Sequence, residues 1–439
     1  MSDLNSEEME KRQSRPAEAG RARRLYALDA LDRANVYGIG TVMENNPTFR
    51  LFLDEAVRED KLRAALGRAF ECFPYMRSRL ILDGIYTLED NPEPFPIHHC
   101  HFENRPLRFG KNAGGYLFQL SYDENELIFD WAHIATDGLG FLQFVKAVLA
   151  AYYDVELCPD SALYTALPVE AHYDRHAGRS YIKPQTDGFD QDRLPHSSPL
   201  GSAHCTTLSV PAQEILTYRN RVDATPAAIL SALIAETFRA RLKEKEDSSS
   251  ESNDVRGKIV VSTRKTLGVD TLHNCYLNLF VTYTDAFEKF DFSTVCTIYR
   301  AFIDLAVEEN SVLRDIRDRR ETLALLEEDP DQAAVRENAK AHIAQLRKNY
   351  CNFNFSYLGV LPFGEEIMAH LVDFQGICLN ENCEFGVFAY SFNDRIYLTV
   401  CENYLGEDML SRLIALGEKL DIHFERKSKM LYRQAYLEI

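Results

Sequence analysis

The sequence lacks several features that mark other classes of protein. Its ten cysteines include no C-x-x-C pair, and no apolar run reaches the roughly eighteen residues that a membrane helix needs. No secretory signal peptide is recognisable at the polar N-terminus. Scattered, unpaired cysteines are typical of buried thiols in a reducing compartment. We therefore expect a cytoplasmic protein without a membrane span.

Positive charge is also scarce. The 49 Lys and Arg residues are outnumbered by 67 Asp and Glu residues, which gives a formal net charge of -18. This balance argues against nucleic acid and against anionic membrane surfaces as partners. No G-x-S-x-G elbow is present, which makes an unrelated serine hydrolase the least favoured enzyme class.

The densest group of possible metal ligands is the run from His98 to His101. Neighbouring residues on a strand point to opposite faces, so at most two of these side chains could meet one ion. The run is better interpreted as a strand with polar edges. We expect no metal site.

What the sequence does contain is a distinctive stretch from Leu127 to Tyr153. Apolar residues alternate from Leu127 to His133, which predicts a strand, and a similar run from Tyr116 to Tyr122 predicts its hairpin partner. From Phe141 onward the apolar residues recur at helical spacing. The pattern therefore predicts a strand that ends in a tight turn carrying His133, followed by a helix that begins at about Asp137.

Two interpretations of this junction compete. In one, His133 is a core histidine and Asp137 is a helix cap. In the other, His133 is a base held at the end of a buried strand, since a general base must be placed within reach of the proton that it removes. The H-x-x-x-D-G spacing at a strand-to-helix junction favours the second interpretation.

The segment Ala132 to Gly138 resembles the H-H-x-x-x-D-G motif of chloramphenicol acetyltransferase, peptide-synthetase condensation domains and alcohol acetyltransferases. Plant BAHD acyltransferases share its shorter H-x-x-x-D core. Ala132 replaces the first histidine. The resemblance implies that the retained histidine, His133, is the catalytic base, and that Asp137 and Gly138 shape its loop without touching substrate.

A second segment, Ile259 to Tyr283, is similar to the family pattern of a strand ending in V-x-x-R followed by a G-x-F-x-N strand. Asn274 stands where glycine is usual. The resemblance implies that Arg264 pairs with Asp137 and so joins two halves of the protein. The alternative is that Arg264 is a solvated charge at a strand end.

An acyl transfer also needs a donor for the tetrahedral oxyanion. The family-like motifs offer Asn278 and, in the strand Phe353 to Leu361, Ser356. Tyr357 stands there in the position where the alcohol acetyltransferases have asparagine. Cys275 is the nearest alternative nucleophile, although a buried strand thiol is the simpler interpretation.

The resemblance implies an α/β fold of the α+β sandwich type, with two chloramphenicol acetyltransferase-like halves that form a pseudo-dimer around the active site. We divide the chain into a flexible tail (1–20), an N-terminal half (21–185), a linker (186–205) and a C-terminal half (206–439). Local patterns further predict a strand over Val36–Met43, a helix over Asp54–Phe73 and a final helix over Glu407–Phe424.

The expected function is transfer of an acyl group from a thioester, with acyl-CoA as the expected co-substrate, to a small-molecule alcohol or amine. No bound cofactor is expected, because thioester alcoholysis or aminolysis needs none. With both sides of the cleft in one chain, we expect a monomer. Two alternatives stay open: a condensation-type enzyme that uses an acyl carrier protein in trans, and a non-catalytic homologue that binds a small molecule or protein.

Overall fold

The structure, a computed structural model, describes residues 23–39, 44–83, 85–111, 114–156, 202–244, 254–329, 331–346, 351–380, 383–402 and 409–438. The tail expected at 1–20 and the part of the expected linker before residue 202 lie outside these ranges. Residues 202–205, which we also assigned to the linker, instead begin a ten-residue strand that pairs with neighbours on both sides.

The strands of the described ranges are β1 (Leu25–Ala27), β2 (Thr48–Leu53), β3 (Ser78–Asp83), β4 (Ile85–Asp90), β5 (Ile97–His99), β6 (Arg108–Gly110), β7 (Phe118–Asp123), β8 (Glu126–Trp131), β9 (Ser202–Pro211), β10 (Val255–Ser262), β11 (Tyr276–Tyr283), β12 (Cys351–Val360), β13 (Leu371–Ile377), β14 (Cys383–Phe392), β15 (Arg395–Glu402), β16 (Glu425–Arg433) and β17 (Tyr436–Glu438).

The α-helices of the same ranges are α1 (Ala30–Tyr37), α2 (Glu59–Cys72), α3 (Gly138–Tyr152), α4 (Ala212–Val222), α5 (Pro226–Glu244), α6 (Arg264–Leu267), α7 (Phe292–Ala306), α8 (Glu309–Leu326), α9 (Gln332–Leu346), α10 (Glu365–Met368) and α11 (Met409–Glu418). None of these helices is both long enough and apolar enough to cross a membrane.

The sheet of the N-terminal half has the strand order β13-β2-β8-β7-β5. Strands β7 and β8 form the predicted hairpin, and its turn uses Glu124 in the left-handed region with φ 42°. Every residue of β8 is buried because β2 and β7 flank it and helix α3 covers one face. Helix α3 is apolar on nearly all sides, as expected for a helix enclosed by protein.

The sheet of the C-terminal half has the order β11-β10-β12-β14-β15-β9-β16 and mixes parallel with antiparallel pairs. Helices α4, α5, α7 and α11 pack on one face around a second hydrophobic core that is separate from the first. The two-half α/β architecture expected from the sequence is therefore confirmed.

The halves are interlocked rather than simply adjacent. Strand β13 leaves the C-terminal half and pairs antiparallel with β2, so it completes the sheet of the N-terminal half. At the end of the chain, β17 pairs with β6 of the N-terminal half. These crossovers fix how the two sheets lie against each other.

Three local predictions need correction. The strand predicted over Val36–Met43 is wrong at its start, because Val36 and Tyr37 belong to helix α1, and residues 40–43 lie outside the described ranges. Asp29 caps that helix and forms a reciprocal capping box with Asp32, which stabilises the helical conformation against the β-propensity of the apolar residues.

The other two corrections concern helix ends. Helix α2 begins at Glu59 rather than at Asp54, and the final helix ends at Glu418. Strand β16 follows that helix and extends the large sheet, because its backbone pairs with β9.

Candidate active site

A cleft lies between the two halves and contains His133. We call it the His133 cleft; it encloses about 1030 Å³ including its open mouth. Side chains from both halves line it: Asn35, Glu44, Asn45, Trp131, His133, Asp137, Leu139, Lys258, Val260, Ser262, Tyr276, Asn278, Asn354, Ser356, Tyr357, Leu358, Cys378, Leu379, Asn380 and Phe388, together with Gly138.

His133 lies two residues beyond the end of β8, in the turn that leads to helix α3. The His133 ring rests between two aromatic rings, 5.1 Å from Trp131 and 5.5 Å from Tyr276 between centroids. Asn35 donates a hydrogen bond of 2.8 Å to the His133 carbonyl and so fixes the turn. The imidazole is thereby held in one place at the wall of the cleft.

The protonation of the ring is set by Asn274. Its Oδ1 lies 2.6 Å from His133 Nδ1, while its Nδ2 donates to the His133 carbonyl (2.8 Å) and to Asp32 Oδ1 (2.7 Å). A carboxylate oxygen can only accept, so Asp32 fixes which end of the amide is NH₂. Oδ1 then faces Nδ1, which must carry the proton. In the neutral ring, Nε2 keeps a free lone pair.

Asp32 is itself completely buried and held from several sides. Its carboxylate contacts His273 Nδ1 at 2.6 Å and accepts from the Asp29 amide at 3.3 Å. The Tyr75 hydroxyl donates to the Ala135 carbonyl at 2.9 Å and stands 3.3 Å from His273 Nδ1. The amide that orients His133 is therefore supported by a rigid polar network beneath the cleft.

Burial lowers the pKa of His133 below its ordinary value of 6.5. The negative charge of Asp137 and the hydrogen bond to Asn274 act in the opposite direction and limit this effect. A lowered pKa keeps the imidazole neutral to lower pH. The ring is thus in the form that can accept a proton at neutral pH.

Asp137 has two roles in the structure. Its Oδ1 accepts from the Gly140 amide at 2.9 Å, which makes it the N-cap of helix α3. Its carboxylate also forms the predicted pair with Arg264, at 2.7 Å (Nη1 to Oδ2) and 2.8 Å (Nη2 to Oδ1). The helix-cap interpretation and the cross-half pair are therefore both present in one side chain.

Arg264 and the backbone around it complete this contact. The Arg264 guanidinium also donates to the carbonyls of Thr271 and His273, and the Cys275 amide donates to Asp137 Oδ2 at 2.9 Å. Burial raises the pKa of the Asp137 carboxyl, but the Arg264 charge and these hydrogen bonds outweigh burial and hold the pKa below 3.8. Arg264 is thus not a solvated strand-end charge.

Two glycines at the start of α3 differ in how strictly they are needed. A Cβ at Gly138 would meet only the end of the Leu358 side chain, at 3.1 Å. At Gly140 it would lie 2.5 Å from the Leu272 carbonyl oxygen, because the loop before β11 approaches the helix there. The close contact between the halves therefore requires Gly140, a residue that the motif did not single out.

Both predicted oxyanion donors line the His133 cleft. Asn278 on β11 and Ser356 on β12 are the register partners of Val260, one on each side of β10. Their backbones are two strand spacings apart, about 10 Å. The Tyr357 hydroxyl is 2.8 Å from Ser391 Oγ.

Cys275, the alternative nucleophile, does not line the His133 cleft. Burial raises the pKa of its thiol to about 11. A thiol with that pKa is almost entirely protonated at neutral pH, and the thiol form is a poor nucleophile.

A second cleft opens on the other side of Tyr276. It encloses about 1150 Å³ including its mouth, and it is lined mainly by helices α1, α8 and α9. Asn35, Tyr276 and Asn278 line both clefts. Burial raises the pKa of Tyr276, so its hydroxyl keeps its proton beside His133. His133 itself lines only the first of the two clefts.

Most of the residues that hold His133 could not be recognised in the sequence. Asn35 and Asp32 lie on helix α1, which we predicted in part as a strand, and their apolar neighbours gave no signal of a site. Asn274 was noted only as a departure from glycine. The signal that could have indicated its role was a polar side chain, Asn274, at a position where the family pattern has glycine.

Several solved structures are similar to this chain over more than 90% of its length. TRI101 of F. graminearum, complexed with coenzyme A and deoxynivalenol, is similar with a TM-score of 0.59 at 11% identity, over 92% of this chain and 100% of that chain. The first condensation domain of the CDA synthetase has a TM-score of 0.59 at 12% identity, over 92% and 97%.

Polyketide synthase associated protein 5 from Mycobacterium tuberculosis is also similar, with a TM-score of 0.58 at 11% identity, over 91% of this chain and 98% of that chain. No protein-family model matches the sequence, and no curated protein matches it either. The chain therefore shares its fold with an acetyltransferase and with peptide-synthetase condensation domains, two of the protein classes that the sequence resemblance named. At these identities the similarity establishes the fold alone.

Proposed function

We propose that this protein is an acyltransferase that moves an acyl group from a thioester, with acyl-CoA as donor, to a hydroxyl or amine acceptor. The observation that carries the proposal is His133 itself. Its ring lines a cleft between the halves, Asn274 occupies its Nδ1, and its Nε2 is left as a proton acceptor.

The proposed reaction has two steps. His133 Nε2 takes the proton of the acceptor O–H or N–H as that atom bonds to the thioester carbonyl carbon, and the carbonyl oxygen becomes an oxyanion. Asn278, Ser356 and the protonated hydroxyl of Tyr276 are the candidate donors to this oxyanion. The C–S bond then breaks, and the imidazolium gives its proton to the departing thiolate.

Two observations support acyl-CoA and a small-molecule acceptor as substrates. TRI101, which shares the fold, has been crystallised with coenzyme A together with deoxynivalenol. In addition, the second cleft shares Asn35, Tyr276 and Asn278 with the His133 cleft, and we propose it as the approach of one of the two substrates. Since both halves of the site belong to one chain, a monomer suffices.

A thiol-release assay tests the proposal. Acyl-CoA thioesters of different chain length are incubated with pooled alcohols and amines, and free coenzyme A is measured. We expect thiol release that depends on the acceptor. Acceptor-dependent transfer only from thioesters on a carrier protein would instead favour the condensation-type alternative. The first condensation domain of the CDA synthetase has a similar fold. No transfer with either donor would favour the non-catalytic alternative.

The kinetic mechanism is a second expected result. Direct transfer requires a ternary complex, so double-reciprocal plots at several acceptor concentrations should intersect, and no acyl-enzyme should accumulate. Turnover per chain should not depend on protein concentration. Parallel plots, or an acyl group on Cys275 detected by mass spectrometry, would contradict direct transfer. Turnover per chain that rises with concentration would contradict the monomer.

Asn274 should act as a positioning residue for His133. Replacing it with alanine removes one hydrogen bond to the ring, and we expect kcat to fall about tenfold with little change in KM. Because the Asn274 hydrogen bond raises the pKa of His133, the acidic limb of kcat/KM should also move to lower pH. The pH profile of the Asn274→Ala variant measures both effects.

Asn45, another asparagine that lines the His133 cleft, provides the control for this prediction. Its substitution by alanine should leave the acidic limb in place. An unshifted limb in Asn274→Ala, with kcat at the wild-type value, would show that Asn274 does not position the base.

A further inference from the structure

A lysine lines the His133 cleft without a counter-ion. Lys258 lies on β10, on the face of the sheet that also presents Val260 and Ser262 to the cleft, and only 9% of it is exposed. Among the residues that the structure describes, none forms a hydrogen bond or ion pair with its side chain. Burial of an unpaired ammonium group is strongly unfavourable. A purely structural role therefore gives no reason for this lysine.

The neighbour of Lys258 is also unsatisfied. Asn354 is the register partner of Lys258 on the parallel strand β12, so the two side chains stand side by side on the same face. Asn354 Oδ1 is buried and has no hydrogen-bond partner in the described part of the chain. The unpaired Lys258 ammonium therefore faces the cleft beside an amide whose oxygen can take a hydrogen bond only from a donor.

The carboxylates that line the same cleft are occupied elsewhere. Asp137 is held by Arg264. Glu44 Oε1 accepts from Asn46 Nδ2 at 2.7 Å and from the Leu437 amide at 3.1 Å. Neither carboxylate is within ion-pair distance of Lys258. The positive charge at this end of the cleft is therefore not neutralised by the acidic residues that line it.

The charge of Lys258 acts to lower the pKa of three thiols, but other causes dominate each shift: burial raises the pKa of Cys378 and Cys383, and the hydrogen bond with Cys383 is the main cause of the lowered pKa of Cys351. Cys351 and Cys383 lie two residues before Phe353 and Phe385 on their strands, so each cysteine points to the same face as its phenylalanine. Both phenylalanines belong to the second hydrophobic core, on the face opposite to the cleft. Cys378 lines the cleft, and burial raises its pKa to about 11, so it stays neutral at pH 7.

We propose that Lys258 binds a carboxylate of the acceptor substrate. This inference rests on the proposed function and narrows its acceptor to hydroxy or amino acids. A carboxylate satisfies the charge that the protein leaves unpaired, and such charge-assisted hydrogen bonds are among the strongest available in a buried site.

The separation along β10 favours the acceptor over a short acyl group as the source of the carboxylate. Ser262 pairs with Tyr276, whose ring is next to His133, and Lys258 is four residues earlier on β10. At the rise of a β-strand, these positions are about 13 Å apart. The acyl carbonyl must lie beside His133, so a short dicarboxylic acyl group would not reach Lys258. A carboxylate on the order of 10 Å from the reacting hydroxyl or amine would reach it.

Binding of two probes without a thioester tests the inference. The probes are ω-hydroxyoctanoate and octanol, which differ in the carboxylate, and calorimetry measures their affinity for the full chain. Lys258→Met should weaken ω-hydroxyoctanoate binding about 10- to 100-fold and leave octanol binding unchanged. The exposed Lys265, on α6, provides the matched control, and Lys265→Met should bind both probes as the wild type does.

Two further measurements distinguish a lost carboxylate contact from a loss of folded structure. Lys258→Met should raise Tm, because it removes a buried charge that has no partner. Asn354→Asp places a carboxylate beside Lys258 within the protein, and it should abolish ω-hydroxyoctanoate binding while octanol still binds. If Lys258→Met fails to fold, the Asn354→Asp variant carries the test alone.

Several outcomes would overturn the inference. These are equal weakening of the binding of both probes, or unchanged binding of both. In turnover assays, a raised KM confined to glutaryl-CoA with octanol, and absent for acetyl-CoA with ω-hydroxyoctanoate, would assign the carboxylate to the acyl group. Because the binding arm needs no turnover, a failure of acyl transfer itself would be seen separately.

Discussion

Replacing His133 with alanine should lower turnover by at least about two orders of magnitude while the protein still folds. General-base catalysis of this kind typically contributes 10²–10⁴ in rate, and His133 is the one imidazole among the described residues that line its cleft. The side chain is partly exposed to the cleft, so water can fill the space that the substitution leaves. Steady-state kinetics with the best substrate pair, together with circular dichroism, measures the two parts of this prediction.

His423 is a suitable control because it is exposed and lies outside the cleft lining, beside Glu214. His423→Ala should retain wild-type turnover. A folded His133→Ala protein with wild-type turnover would rule out the proposed mechanism, whatever the substrate. Residual transfer at a reduced rate is expected, because substrate positioning and oxyanion contacts remain.

The pair between Asp137 and Arg264 should have the largest effect on stability. Their side chains are only 8% and 13% exposed, and removing one partner leaves the other charge buried. Each alanine substitution should cost roughly 3–5 kcal/mol in the free energy of unfolding. The double substitution should cost less than the sum of the two single substitutions, because it leaves no buried charge without a partner. Urea unfolding of the four proteins in this cycle gives the coupling energy.

The same pair predicts a dependence on pH. The pKa of Asp137 is lowered in the folded protein, so its contribution is complete above its ordinary pKa of 3.8 and is lost as the pH falls through the lower folded value. The Arg264→Ala variant should therefore show less loss of stability in that acidic range than the wild type.

An exposed pair provides the reference for the stability cycle. Arg63 and Glu59 form an i,i+4 ion pair on helix α2, with side chains 52% and 46% exposed. Solvent screens such pairs, so Arg63→Ala should change stability far less than Arg264→Ala does. Strictly additive losses for Asp137→Ala and Arg264→Ala would show that their contact contributes nothing.

Much of the fold was readable from local sequence. The hairpin before His133 follows from strict alternation around a polar turn, and helix α3 follows from apolar spacing after an N-cap aspartate. Both are determined by neighbouring residues. The contact between Asp137 and Arg264 was predictable only through the family resemblance, because no local rule joins residues on separate halves.

The tertiary structure decided the rest. It places Asp32, Asn35 and Asn274 around His133, and it places Lys258 at the other end of the same cleft. These residues come from separate elements of two halves, and β13 and β17 cross between the halves to fix their relation. The sequence by itself determined the strand, the turn and the base. Which ring nitrogen of that base carries the proton, and which charge lies at the other end of its cleft, depend on long-range packing that no local pattern encodes.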